Sequence, residues 1–290
     1  MTKNQTMKKT LFLIACFSIL LSSVRAQETW IKPQDKDTII HVKQFRPAHL
    51  SLSFDFGWSA SRQTYLAPLL YNGTSFGLHF ERNREMRWKR WENFQLADVD
   101  FASGKAESGG NSRMWTGRAL YRYAMHYNLL KEKLFVGPYI GAEFGFDYNL
   151  YLGGGNNPAT VRVASNTGVS FVARHGFSMR GKLCQVDFLA QMPLLGTALM
   201  PEYGSSYYET FYLNTNQSKM HFTSLHNQQD LDFRLGVNIP VAVIPWFKKC
   251  KPVIRIGGFY HIDTMKINDI VSRYSSVGFS IGWTWKHLPL

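Results

Sequence analysis

From Asp230 to Val241 the chain alternates without a break between an apolar face and a polar one. Leu231, Phe233, Leu235, Val237, Ile239 and Val241 share one side; Asp230, Asp232, Arg234, Gly236, Asn238 and Pro240 share the other. Side chains alternate across a strand with period two, so this segment is a strand with one apolar and one polar or small face. The same division recurs at Leu50–Ser59, Ser75–Glu81, Val136–Tyr148, Cys184–Met192, Ile254–Asp263 and Ser276–Lys286, with Leu189 the exception on its polar face. Ten strands follow: 48–59, 74–83, 92–103, 113–127, 134–150, 162–177, 181–192, 229–243, 252–265 and 273–286. Those near 93–103, 113–127 and 163–175 fit the alternation less perfectly.

A soluble sandwich also alternates. These segments, however, run ten residues or more, against about five or six for globular strands and about 9–11 for a membrane strand. Trp58, Trp88, Trp91, Tyr127, Tyr148, Tyr151, Trp246 and Trp285 fall near segment ends, where interfacial girdles of a membrane barrel sit. The expected fold is therefore all-β: an antiparallel, up-and-down transmembrane β-barrel. No strand edge can stay unpaired in hydrocarbon, and chain ends on one side demand an even strand count. The stretch 193–228 holds either no strand or a pair near 206–214 and 219–226. Twelve strands are favoured and ten are the alternative.

Composition agrees. Aromatic residues make up 15% of the 290 residues, and mean hydropathy is −0.21. The one sizeable apolar run, Leu11 to Leu21, is too short to span a bilayer. Lys8 and Lys9 precede it and Ser22-Ser23-Val24-Arg25-Ala26 follow, so residues 1–26 read as a cleaved signal peptide. Residues 27–47 then form a periplasmic segment and 48–290 the barrel, in the outer membrane of a Gram-negative bacterium. Leu13-Ile14-Ala15-Cys16 resembles a lipoprotein box, but the apolar run continues past the cysteine, which favours cleavage after Ala26. Loss of Lys3, Lys8, Lys9 and Arg25 with the leader lowers the formal charge from +13 to +9. In an exported chain this charge does not imply nucleic acid. Cys184 and Cys250 remain, too few for a metal cluster.

Starting the first strand in the periplasm places Arg82, Arg84, Arg87, Lys89, Arg90, Lys131, Lys133, Arg180, Lys182, Lys248, Lys249 and Lys251 in periplasmic connections. That is 12 of the 29 Lys and Arg left after cleavage. The opposite connections, such as Gly104–Asn111 and Gly153–Asn157, are rich in Gly and Asn. Cations at an anionic leaflet gain about 1 kcal/mol each, which supports this sidedness.

The chemistry-bearing residues sit on the polar face. Asp55, Glu81, Arg118, Arg122, Glu143, Asp147, Arg174, Asp187, Asp232, Arg234 and Arg255 all project into the lumen in this register. There they either cross-link a narrow barrel or line a pore that selects by charge. A narrow pore or lumen that binds small polar solutes is the leading expectation. A sealed barrel acting through its loops is the alternative. A rim hydrolase built from His175, His221, His226 and Asp230 is the less favoured rival, so no enzyme is expected. The sequence shows no phosphate loop, nucleophile elbow or metal spacing, and no cofactor is expected. The partners expected are outer-membrane lipid, the barrel-assembly machinery and a small polar solute.

The stretch Met192–Phe211 resembles a family of uncharacterised outer-membrane barrels with a P-L-x-G … P-E-Y-G-x-S-Y-Y-E signature. It is carried here by Pro193, Leu194, Gly196, Pro201, Glu202, Tyr203, Gly204, Ser206, Tyr207, Tyr208 and Glu209. The resemblance implies the same barrel and brings no assigned activity. At the C-terminus, Trp283 and Trp285 suit the aromatic end that assembly machinery reads. Lys286-His287-Leu288-Pro289-Leu290 then follow, and Pro289 should stop the strand.

Overall fold

The computed structural model describes residues 48–86, 90–108, 110–130, 133–150, 159–200, 220–241, 253–267 and 269–287. The leader, the 27–47 segment, Cys16, Cys250 and the signature residues from Pro201 to Glu209 lie outside them. So do Arg87, Trp88, Lys89, Lys131, Tyr151, Trp246, Lys248, Lys249 and Lys251.

The elements are all strands: β1 (Ala48–Gln63), β2 (Ala67–Glu85), β3 (Trp91–Ala106), β4 (Arg113–Asn128), β5 (Leu134–Asn149), β6 (Ala159–Met179), β7 (Lys182–Leu199), β8 (Met220–Ser224), β9 (Gln228–Pro240), β10 (Val253–Ile267) and β11 (Ile270–His287). Every consecutive pair from β1 to β7 is antiparallel, as are β9–β10 and β10–β11. β1 pairs with β11, and β7 pairs with β9, so the sheet closes on itself. Closure leaves no edge to pair with another chain.

Among the described residues the ring has ten strand positions, which fits the alternative of ten and not the favoured twelve. β8 and β9 both run antiparallel to β7, β8 against Leu195–Leu199 and β9 against Gln185–Gln191. They are therefore one interrupted barrel strand. The interruption is a tight turn at Leu225–Asn227, where Asn227 accepts the Ser224 N–H at 2.8 Å through its side chain, and its own N–H donates to the Ser224 carbonyl at 3.0 Å. The strand expected near 219–226 exists but prolongs the eighth position of the ring; the segment 206–214 lies outside the described residues. Because β7 bonds directly to β8 and β9, the ring has no gap for a further pair.

Against β6, β7 carries a bulge: Thr167 pairs with Leu195 and the next residue, Gly168, pairs with Pro193, leaving Leu194 over. A bulge takes one extra residue without flipping the rest of the strand, and it suits a proline that has no N–H for the ladder. Pro193, Leu194 and Gly196 of the family signature thus build a register correction.

Burial is inverted relative to a soluble protein. Phe279 is 68% exposed, Ile140 64% and Trp58 61%, whereas Arg122 and Asp230 are 0% exposed. On β1 the outward residues run apolar from Leu50 to Ala60, close to the length a membrane strand needs. Aromatic rings run in contact around the outside: Phe76–Phe101, Phe101–Trp115 and Trp115–Tyr148, with centroids 5.2 to 6.3 Å apart. At the β6–β7 hairpin, Arg180 and Gly181 both adopt positive φ, 50° and 72°, as a two-residue turn matched to strand twist requires.

Candidate functional site

The interior is where the ionisable side chains meet. β11, β1 and β2 line it with small residues: Ser276, Gly278, Ser280 and Gly282, then Ser51, Ser53, Gly57 and Ser59, then Gly73, Ser75 and Gly77. Long arginines from the other strands occupy the space these leave. Arg234 of β9 donates to Asp55 of β1 at 2.7 Å and to Asp98 of β3 at 3.1 Å. β3 and β9 stand five positions apart in the ten-membered ring, so this side chain spans the lumen. His79 of β2 contacts the same Asp98 through Nδ1 at 2.5 Å.

Four further sets flank this one. Arg122 pairs with Asp230, lies 3.5 Å from Asp232, and donates to Gln191 at 3.0 Å. Gln191 in turn donates to Ser170, which also contacts His126. Arg162 bonds Glu143 at 2.7 Å and also pairs with Asp263, while Arg118 reaches Glu143 at 3.4 Å. Arg255 joins Asp187 at 2.5 Å and Glu81 at 3.2 Å. A Cβ at Gly236 would stand 2.9 Å from both the Arg255 guanidinium and the Asp187 carboxylate, so that pair needs glycine there. Arg174 grips Glu92 with two parallel bonds, 2.6 and 2.7 Å, and stacks over Phe135 at 4.5 Å. Buried charges are tolerable in such number only when paired and hydrogen-bonded.

All eleven residues expected in the lumen point into it. Nine are buried, and Asp147 and Arg174 are half-buried. Asp147 takes a hydrogen bond from Thr116 at 2.8 Å and one from Gln63 at 3.5 Å, so it bonds polar side chains where the others meet arginines. Sequence reasoning missed Glu92, Asp98, Asp100 and Arg162, which fall on the inward parity of strands whose alternation is blurred. His79, Asp230, His261 and Asp263 stood on recognised polar faces without joining the set.

The blurring has a structural cause. Phe94, Leu96, Leu120, Ala124, Phe135, Tyr139, Val172 and Leu189 form an apolar cluster inside the barrel, on β3 to β7. Leu189 is thus no exception to its face: it belongs to this internal core. The hydrolytic rim set is not assembled. Asp230 is buried against Arg122; His221 and His226 belong to the β8 end of the barrel, and His175 lies near the β6–β7 turn at the other. Cys184 is buried and unbridged.

One cavity of about 470 Å³ opens at the end where β2–β3, β4–β5 and β6–β7 connect. Arg174, Glu92, Arg255, Glu81 and Asp187 line it, and Arg84, Arg90 and Lys133 stand at its mouth.

This geometry defines a class: a closed ten-stranded antiparallel barrel, apolar outside and cross-linked by ion pairs within. More particularly, the model of a family described as a protein of unknown function (DUF3316) matches residues 11–288, and the chain belongs to that family. No curated protein matches it in sequence. Among solved structures it is similar to the outer membrane protease OmpT from Escherichia coli, with 5% identity and a TM-score of 0.46 over 87% of this chain and 99% of that one. It is also similar to the translocator domain of autotransporter NalP from Neisseria meningitidis, with 6% identity, a TM-score of 0.36 and 98% of each chain covered. The COG4313 outer membrane channel from Pseudomonas putida F1 gives 9% identity and a TM-score of 0.27 over 89% of this chain and 100% of that one. Likenesses at this level say nothing of activity.

Proposed function

We propose that this protein is an exported outer-membrane barrel with a sealed lumen, which acts at its two mouths and conducts nothing. The outward faces support the membrane: soluble proteins rarely expose continuous apolar patches beyond a few hundred Å², and here every described strand exposes large apolar side chains. The observation that carries the seal is Arg234 of β9, which reaches across the lumen to Asp55 of β1 and Asp98 of β3. With the apolar cluster on β3 to β7, it leaves hydrated ions no open route. The inward charges therefore work as cross-links and not as a selectivity filter. The reading includes delivery by the barrel-assembly machinery and assigns no catalytic step.

The expectation of a solute-binding lumen survives at one mouth only. The cavity there is large enough for a small polar molecule, and at its mouth Arg84, Arg90 and Lys133 outnumber the acid Glu85, which favours an anionic one. Calorimetric titration of folded protein with malonate should show binding; absence of heat would remove that part of the reading. For the seal, the leaderless protein is refolded and inserted into a planar bilayer. Heat-dependent gel migration with silence in the bilayer is the expected result. Steady, ion-selective openings would overturn it.

A further inference from the structure

Every Asp and Glu on the described strands lies on the inward parity, so the outward faces carry no acid at all. The outward charges are cations, and five of them form a belt at one end: Lys266 on β10, Arg273 on β11, Arg62 on β1, Lys105 on β3 and Arg113 on β4. All five are exposed, and each stands between two buried neighbours on its strand, which fixes it outward. Their strands lie within six consecutive positions of the ring, β10-β11-β1-β2-β3-β4. Asn72 of β2 pairs with Lys105 and extends the belt across the strand that has no cation there. The strands on the other side of the barrel, β5, β6, β7 and β9, carry no outward charge at this height.

Two cross-strand pairs within the belt are like-charged. Arg62 stands directly opposite Arg273, and Lys105 directly opposite Arg113. Like charges directly opposite one another destabilise a sheet. None of the five makes an ion pair within the described residues, and the nearby turn acids Glu107 and Asp269 are not bonded to them. Among the described residues no acid neutralises these two opposed cation pairs, an arrangement that favours a bound anion between them. The belt sits just beyond the apolar band: on β1, Trp58 and Ala60 precede Arg62, and on β11, Val277 and Ser275 separate Phe279 from Arg273. With the apolar band in a membrane, lipid phosphates would stand at this height.

We propose that this belt binds the phosphates of an anionic glycolipid in the outer leaflet, one lipid bridging the Arg62–Arg273 pair and another the Lys105–Arg113 pair. Arginine's fork suits a phosphate and holds it with two bonds. The assignment rests on the membrane reading above and on the sidedness that puts this end outside.

The test uses the mature protein, refolded in neutral detergent and shown folded by heat-dependent gel migration. It compares diphosphorylated lipid A, the same lipid without phosphates, phosphatidylglycerol and inorganic phosphate. Lipid A should raise the unfolding midpoint by several degrees, and the dephosphorylated lipid should not. The double variants R62Q/R273Q and K105Q/R113Q should each lose on the order of thirtyfold in affinity, two surface cations' worth. R62K/R273K should keep most of the binding, and Arg82→Gln at the opposite rim all of it. In detergent alone both double glutamine variants should unfold at or above the wild-type midpoint, since repulsion is removed. Equal effects of lipid A and its dephosphorylated form, or of inorganic phosphate alone, overturn the belt. Phosphatidylglycerol binding as well as lipid A overturns the outer-leaflet assignment. A chain folded and soluble without detergent fails the membrane reading itself, and the belt's role with it.

Discussion

Arg234 shows what a buried cation does when it cannot be solvated. Its guanidinium meets Asp55, Asp98 and, at 3.8 Å, Asp232, and it lies over the Phe259 ring at 5.5 Å. Replacing such a pair wholesale with apolar residues is often neutral, but removing one partner strands the other charge. Arg234→Gln should therefore cost on the order of 3–5 kcal/mol, because Asp55 and Asp98 are left buried beside a neutral amide. Urea unfolding in lipid vesicles measures this. The neighbour Phe233 points outward, so Phe233→Leu should cost less than about 1.5 kcal/mol, as a hydrophobic swap against lipid. Equal losses at the two positions would mean that the inward network contributes no more than ordinary packing.

At the scale of strands, alternation made most of the fold readable, and its failures are informative. β1, β9 and β11 turn apolar residues outward and polar or small residues inward, so their sequences state both face and register. β3, β4 and β6 carry apolar residues outside and meet the Phe94–Leu120–Val172 cluster inside, and a strand apolar on both faces loses its period-two signal. Glu92, Asp98 and Arg162 were hidden for that reason. The strand count failed differently. Residues 220–224 do form a strand, but no local pattern tells a new barrel position from the continuation of an old one; only pairing with β7 decides. The bulge at Leu194 carries a matching prediction. Deleting Leu194 keeps Pro193 inward and Leu195 outward, so the ladder becomes regular and the protein should still migrate as a folded barrel. Deleting Ile256, in the unbroken part of β10, flips the residues on one side of the cut and should abolish that migration. If both deletions fold, register is not what holds the eighth and ninth positions together.

For the whole molecule, the lumen is filled unevenly, and this makes the seal removable. The β11–β1–β2 wall is Ser and Gly, and the volume beside it is taken by arginines reaching in from β9 and β10. The opposite wall carries its own apolar filling. Shortening the arginines should therefore open a path along the small-residue wall without disturbing the cluster on β3 to β7. The variant R234S/D98S/R255S/E81S removes two cations and two acids, so it leaves formal charge unchanged. Asp55 and Asp187 lose their arginines and come into contact with water, where their charge is no longer costly. Such a lumen should conduct, and unpaired carboxylates along it should make it select cations. Planar bilayers would show discrete openings for the variant against silence for the parent, with a reversal potential displaced toward that of the cation. Silence from a folded variant would place the seal in the apolar cluster. Anion selectivity would mean that Arg118, Arg122 or Arg162 turns into the opened path and dominates its field.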